Sequence, residues 1–249
     1  MRTAIFISAR NKARRLPGKT FHPIEGRSVI EHIIDRVRLA PGADLVALTT
    51  SVHADDRALV DVALKNDIAA FQGSEDDKLA RYLAAADQHG IGFAVVVDGD
   101  DVFCDPTVIG RIIAEKRERG GDFIMVDGLP VGVTGFGVDI EALRAVVAKK
   151  KEHDTEIWGR YFTQDPAFVA KLLPPPAAWA RPDWRMTLDY PEDLAFFERV
   201  FAELHQPGTV FSFDEIVGLL EAKPEIAAIN AGAQRVYEEN LKRTMAAAR

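Results

Sequence analysis

Five short apolar runs, separated by stretches of helical spacing, constrain this chain more than any other feature. AIFIS (4–8), DLVALTT (44–50), IAAF (68–71), FAVVVD (93–98) and DFIMVD (122–127) read as strands. Between them SVIEHIIDRVRLA, HADDRALVDVALKN, EDDKLARYLAAADQHG and PTVIGRIIAEKRERGG repeat apolar residues at helical intervals. Gly90, and Gly120 with Gly121, stand where helix ends favour a left-handed residue. Such alternation implies an α/β fold, a mostly parallel sheet with helices on both faces. Ligands of such sheets bind outside the carboxyl ends of the strands.

The second half is less regular. VGVTGFGVDI (131–140) reads as a strand with close backbone neighbours, because three glycines punctuate it. LPPPAAWARPDW (173–184) reads as a rigid proline-rich loop. YPEDLAFFERVFAEL is a helix with Pro191 in its first turn, and Ser212 with Glu215 forms a capping box ahead of FDEIVGLLEA. A further helix is expected from about Ala231. With no repeat, low-complexity segment or linker, residues 1–249 are expected to form a single domain, with an inserted arm at about 128–184.

A chain of 249 residues buries a sizeable core. Its one cysteine, Cys104, excludes an internal disulfide framework and a cysteine-based zinc site, and suits a reducing cytoplasm. No apolar run approaches the roughly 18 residues of a membrane helix, so no membrane partner is expected. The formal net charge of −7 argues against nonspecific nucleic-acid binding.

In so acidic a chain the loop ARNKARRLPGKT (9–20), with Arg10, Lys12, Arg14, Arg15 and Lys19, suggests a small polyanion as its target. A solvated surface loop is the plainer alternative. A P-loop ending in GKT is another, but it needs glycine where Ala13 stands, and Pro17 removes an amide donor from the cradle. A third is a nucleoside triphosphate loop of another kind, in which amides after the first strand hold phosphates that Arg and Lys neutralise.

Four motifs in order, ISAR…RLPGK, FQGSEDDKLARY (71–82), VVDGDDVFCDP (96–106) and RMTLDYPEDL (185–194), favour the third alternative. Together they resemble the cytidylyltransferases that activate sugars and sugar acids, the CMP-KDO and CMP-sialate synthetases. They are most similar to the branch of the spore-coat polysaccharide biosynthesis protein F. The resemblance spans about residues 4 to 200. It implies a nucleotidyltransferase (GT-A-like) fold, a three-layer αβα sandwich around a mixed sheet, and a homodimer formed through the inserted arm. It also implies CTP and a small-molecule acceptor (a sugar, sugar acid or phosphate ester) as partners.

Nucleotidyl transfer builds negative charge on phosphoryl oxygens, so its stabilisation comes from cations. Mg2+ takes carboxylate and phosphate oxygens, with one or two carboxylates from the protein. By the resemblance, Asp100 in DGDD and Asp189 in TLDYPEDL hold the metal, with Asp98 and Asp101 as candidate companions of Asp100. Val102 stands where the branch carries proline. Ser8, Ala9, Arg10, Arg15 and Lys19 are expected around the triphosphate, with Arg15 and Lys19 offsetting charge in the transition state. Gly73, Ser74 and Arg81 are expected toward the base or phosphate. Ser74 also reads as a helix N-cap with Asp77 three residues on, and Asp193 as a carboxylate suited to a helix start.

The acceptor is less legible. HDTEIWGRYF (153–162) lies where relatives carry a substrate-facing segment, which makes Glu156 and Arg160 candidates. The alternative is a dimer-contact helix anchored by Trp158 and Phe162. Arg185 either binds an acceptor carboxylate or phosphate, or pairs with an acid. The six histidines are scattered, and none stands as a general base. A phosphate acceptor, already ionised near neutral pH, needs none. Two other functions stay open, transfer of another nucleotide from GTP or UTP to a sugar phosphate, and nucleotide binding without catalysis.

Overall fold

The computed structural model describes residues 1–13, 15–151, 155 and 157–237. Strands β1 (Thr3–Ser8), β2 (Pro23–Ile24) and β3 (Arg27–Ser28) lead into helix α1 (Val29–Val37). There follow β4 (Leu45–Ser51), α2 (Arg57–Lys65), β5 (Ala69–Gly73), α3 (Lys78–His89), β6 (Phe93–Asp98) and α4 (Pro106–Arg119). The remainder comprises β7 (Phe123–Val126), β8 (Phe136–Asp139), α5 (Ile140–Lys149), α6 (Arg160–Thr163), β9 (Ala170–Leu173), α7 (Pro191–Leu204), α8 (Phe213–Ala222) and α9 (Pro224–Ala227). Residues 231–237 are again helical.

The main sheet has seven strands in the order β5-β4-β1-β6-β8-β7-β9. Only β8 runs against its neighbours. Side chains alternate across each strand, and the core divides accordingly. Ile5, Ile7, Val95 and Val97 pack with α1, α2, α4, α7 and α8 on one face. Ala4, Phe6, Ala94 and Val96 pack with α3, α5 and α6 on the other. Three layers result, as expected.

Capping sets most helix starts. Ser28 and Glu31 form a box at α1, and Ser212 and Glu215 another at α8. Gly90 takes the left-handed conformation at the end of α3. The expected start of α3 shifts. Asp77 is the N-cap, accepting from Ala80 N at 3.0 Å, while Ser74 Oγ accepts from Asp77 N at 3.1 Å. The P-loop alternative also falls, because Lys19–Phe21 is a single 3-10 turn and gives no helix N-terminus to a phosphate.

Much of the span 128–184, expected as an inserted arm, is built into the main layers. It supplies β8 and β9 to the sheet and α5 to one face. The strand expected over 131–140 is shorter, reduced to β8. Trp158 and Phe162, offered as dimer anchors, are core residues of this chain. Both pack on Phe123, with ring centroids 5.6 Å away, and each is under 5% exposed.

Candidate active site

After β5 is laid beside β4, the chain crosses back and β6 joins the other side of β1. That reversal leaves a crevice at the carboxyl ends of β1 and β6. Here Gly99 N donates to Ser8 O at 2.8 Å, and a Cβ on Gly99 would lie 2.6 Å from the Cβ of Ala9. Only glycine admits so close a meeting of the loops that carry the basic cluster and the DGDD acids.

Lys19 is the centre of the site. Its Nζ donates to Asp100 Oδ2 at 2.6 Å, Leu188 O at 2.7 Å and Asp189 Oδ1 at 3.1 Å. Arg15 donates to the same Asp189 oxygen at 2.7 Å and lies over the Tyr190 ring at 5.0 Å. The other oxygen, Oδ2, accepts from Arg185 at 3.0 Å. Burial opposes ionisation of Asp189, but Lys19 and Arg15 outweigh it and bring its pKa down to about 2. Burial likewise opposes the charge on Lys19, and Asp100 and Asp189 raise its pKa in spite of it. Asp101 differs: burial, then the charges of Asp100 and Asp98, push its carboxyl well up.

Asp189 sits in a loop, where residues 180–189 make only the isolated bridge Val131–Arg185. Contacts to two neighbouring segments help to hold that loop. Met186 N donates to Val131 O at 2.8 Å, Leu188 N donates to Asp100 O at 2.9 Å, and Gly132 packs beneath Met186. Gly132 has φ +92°, and a Cβ there would lie 2.1 Å from Met186 O. Gly132→Ala is expected to lower stability by about 1–3 kcal/mol through combined strain and clash. A urea midpoint that falls at constant slope would report it.

A second group adjoins the first. Tyr82 OH donates to Ser8 Oγ at 2.7 Å, and Arg81 donates to Ser74 O at 2.9 Å and more weakly to Ser8 Oγ at 3.4 Å. Arg10 donates to Glu75 O at 2.8 Å, and Lys12 pairs with Glu75 at 2.7 Å. A Cβ on Gly73 would meet Phe71 and Arg81. Ser8, Ala9, Arg10, Gly73, Ser74 and Arg81 therefore share one rim, continuous with Lys19 and Asp100 through the Ala9–Gly99 contact. Arg81, however, is buried and faces protein atoms, so it is not an open hand for a base.

Arg185 does not fit the acceptor-binding role offered for it. Its side chain is 0% exposed, and its guanidinium is taken by Asp189, Asp193 and Gln234. It pairs with acids, the second of the two expectations. Arg160 opens α6 over the ring of Tyr161 at 5.4 Å. Glu156 lies outside the described residues. Sequence reasoning missed Asp193, Asn230 and Gln234 as members of the site's surround. Asp193 had a local signal, as a helix-start acid, but Asn230 and Gln234 had none.

Among the described residues no three His, Cys, Asp or Glu side chains group to hold a metal. Asp100 and Asp189 nevertheless suit Mg2+, being hard oxygen donors that converge on one positive charge. Magnesium usually takes only one or two protein carboxylates beside substrate phosphates.

The doubly wound sheet with this ionic cluster at its switch point fits a nucleotidyltransferase, and family membership bears that class out. A cytidylyltransferase family model matches residues 4–163, well over half of the chain. The chain belongs to the cytidylyltransferase family. It is 25% identical over 232 residues to the spore coat polysaccharide biosynthesis protein SpsF of Bacillus subtilis, covering 89% of this chain and 95% of that protein. It is 28% identical over 135 residues to an 8-amino-3,8-dideoxy-manno-octulosonate cytidylyltransferase of Shewanella frigidimarina, about half of each chain. A cytidylyltransferase structure from Leptospira borgpetersenii superposes with a TM-score of 0.84 at 21% identity, covering 91% of this chain and 97% of that one.

Proposed function

We propose that this enzyme transfers CMP from CTP to a sugar, sugar acid or phosphorylated small molecule, with Mg2+, and releases pyrophosphate. The observation that carries this reading is the junction of Lys19 with Asp100 and Asp189 at the carboxyl edge of β1 and β6. Arg15 and Lys19 bind the triphosphate and counter the charge that grows on it. Arg10 and the amides after Ser8 orient its other end. Asp100 and Asp189 would hold magnesium, which supplies Lewis-acid neutralisation of phosphate oxygens when bound.

At rest Arg15, Lys19, Asp100 and Asp189 are satisfied by opposite charges of the protein itself, and Arg10 donates to the backbone oxygen of Glu75. A bound metal and nucleotide would offer the same kinds of partner, the cation to the acids and the phosphates to the bases. Surface polysaccharide biosynthesis is the proposed setting, by likeness to the Bacillus protein and to the sugar-acid enzyme of Shewanella. The proposal includes a cytoplasmic homodimer, which light scattering in solution tests. No helix of the described residues is long and apolar enough to cross a membrane.

A phosphate acceptor fits the chemistry better than a hydroxyl, because it needs no general base. The described histidines are engaged elsewhere: His32 at Ile24 O, His22 near Glu198, His53 at Asp55 N, His89 beside Gln88, and His205 against the rings of Phe201 and His32. Pyrophosphate release should be supported by CTP over ATP, GTP and UTP by about tenfold or more in kcat/KM, about 1.4 kcal/mol of discrimination. Across an acceptor library phosphomonoesters should outperform neutral 2-keto acids. Failure of every nucleotide to release pyrophosphate, under conditions where CTP binds, would discard the enzyme reading.

A further inference from the structure

The polar network that holds Asp189 reaches into the last described turn of the chain. Asp193 Oδ2 accepts from Asp189 N at 2.9 Å and from Tyr190 N at 3.0 Å, fixing the turn that carries the Asp189 carboxylate. The same carboxylate grips Arg185, through Nε at 2.9 Å and a terminal nitrogen at 3.2 Å. Arg185 in turn donates to Asp189. Asp189 is thus held twice by Asp193, once through its backbone and once through Arg185.

Asn230 ties this assembly together from far along the sequence. It ends the turn between α9 and the helical residues 231–237 and is 2% exposed. Its Nδ2 donates both to Asp193 Oδ1 and to the backbone oxygen of Arg185, each at 3.0 Å. Gln234, one turn on, accepts from Arg185 at 3.1 Å. A buried amide bonded at once to both residues that grip Asp189 sets their relative position, and a satisfied buried network of this kind is rigid. Ligating carboxylates depend on outer partners for their orientation. The family match ends at residue 163, so the whole assembly lies beyond it.

Resting on the reading of Asp189 as a metal ligand, we infer that Asn230 is a positioning residue for Asp189. The segment around residues 230–237 is accordingly part of the metal-binding apparatus, not merely a tail packed against it. Gln234 supports the same lever from the other side of Arg185.

Mn2+ titrated into the nucleotide-free full chain, followed by the spin-resonance signal of the free ion, tests this. Asn230→Asp keeps the size but replaces the donor with an acceptor facing Asp193. It should raise the Mn2+ concentration for half-saturation by about tenfold, with CTP affinity in the absence of metal unchanged. Gln234→Leu should shift it in the same direction by less, and serves if the first variant does not fold. A structural role alone would lower the thermal midpoint and leave the Mn2+ affinity of the folded protein as in the wild type, which overturns the inference. Asp189→Asn is the control on the underlying reading. Wild-type Mn2+ affinity in that variant would remove the metal site itself, and the inference with it.

Discussion

Lys19→Met is expected to cut pyrophosphate release at saturating CTP and Mg2+ by about 10²–10³-fold, the scale of losing one preorganised donor at developing charge. Methionine keeps most of the length and volume of the lysine stem, so the effect isolates the ammonium. That ammonium donates to Asp100, Leu188 O and Asp189 and is mostly buried. Its charge is therefore poorly screened, and CTP should bind more weakly without it. The metal should respond with the opposite sign. In the resting site Lys19 competes for the oxygens of Asp100 and Asp189, so Mn2+ should bind the variant more tightly than the wild type when no nucleotide is present. No merely destabilised protein shows both changes. Stability itself should fall only modestly, because Asp189 keeps Arg15 and Arg185 and the Asp100 side chain is a quarter exposed. Initial rates, calorimetry with CTP and Mn2+ titration read the three quantities. Wild-type rates would remove Lys19 from the proposed chemistry.

Local pattern reached some parts of this molecule and not others, for physical reasons. FAVVVD was legible to the residue as β6, because a central strand buried on both faces is a continuous apolar run. The pattern of VGVTGFGVDI overstates its strand, because Gly132 belongs to a clamp against Met186 and pairing within the sheet starts at Phe136. Trp158 and Phe162 look like anchors for a partner, yet a large aromatic on a short irregular segment fits a core equally well, and Phe123 supplies the wall. The grouping of Lys19, Asp100 and Asp189 came from family likeness alone, since partners 81 and 170 residues apart leave no periodic trace. Arg185 illustrates the limit in reverse. Beside TLDYPEDL it offered either a ligand-binding or an ion-paired fate, and only its burial between Asp189 and Asp193 decides. Asn230 was invisible, because a single amide in an otherwise ordinary turn carries no pattern.

Asp193→Ala is expected to lower the unfolding free energy by about 3–5 kcal/mol, the cost of breaking a buried pair from one side. Asp193 and Arg185 both have 0% side-chain exposure, so water cannot compensate for a lost partner. The alanine leaves Arg185 Nε without its acceptor and strands the amides of Asp189 and Tyr190, each a desolvated donor. It also removes an acid from the first turn of α7, a smaller effect. Asp193→Asn keeps the shape and one acceptor oxygen, and should fall between alanine and wild type. The double variant Arg185→Leu with Asp193→Leu should be less destabilised than the sum of its single changes, because no uncompensated charge stays behind. Urea unfolding of the four proteins gives the coupling energy directly. If Asp193→Ala lies within about 0.5 kcal/mol of wild type, as an ordinary surface change would, the carboxylate is not the structural centre of the loop that carries Asp189.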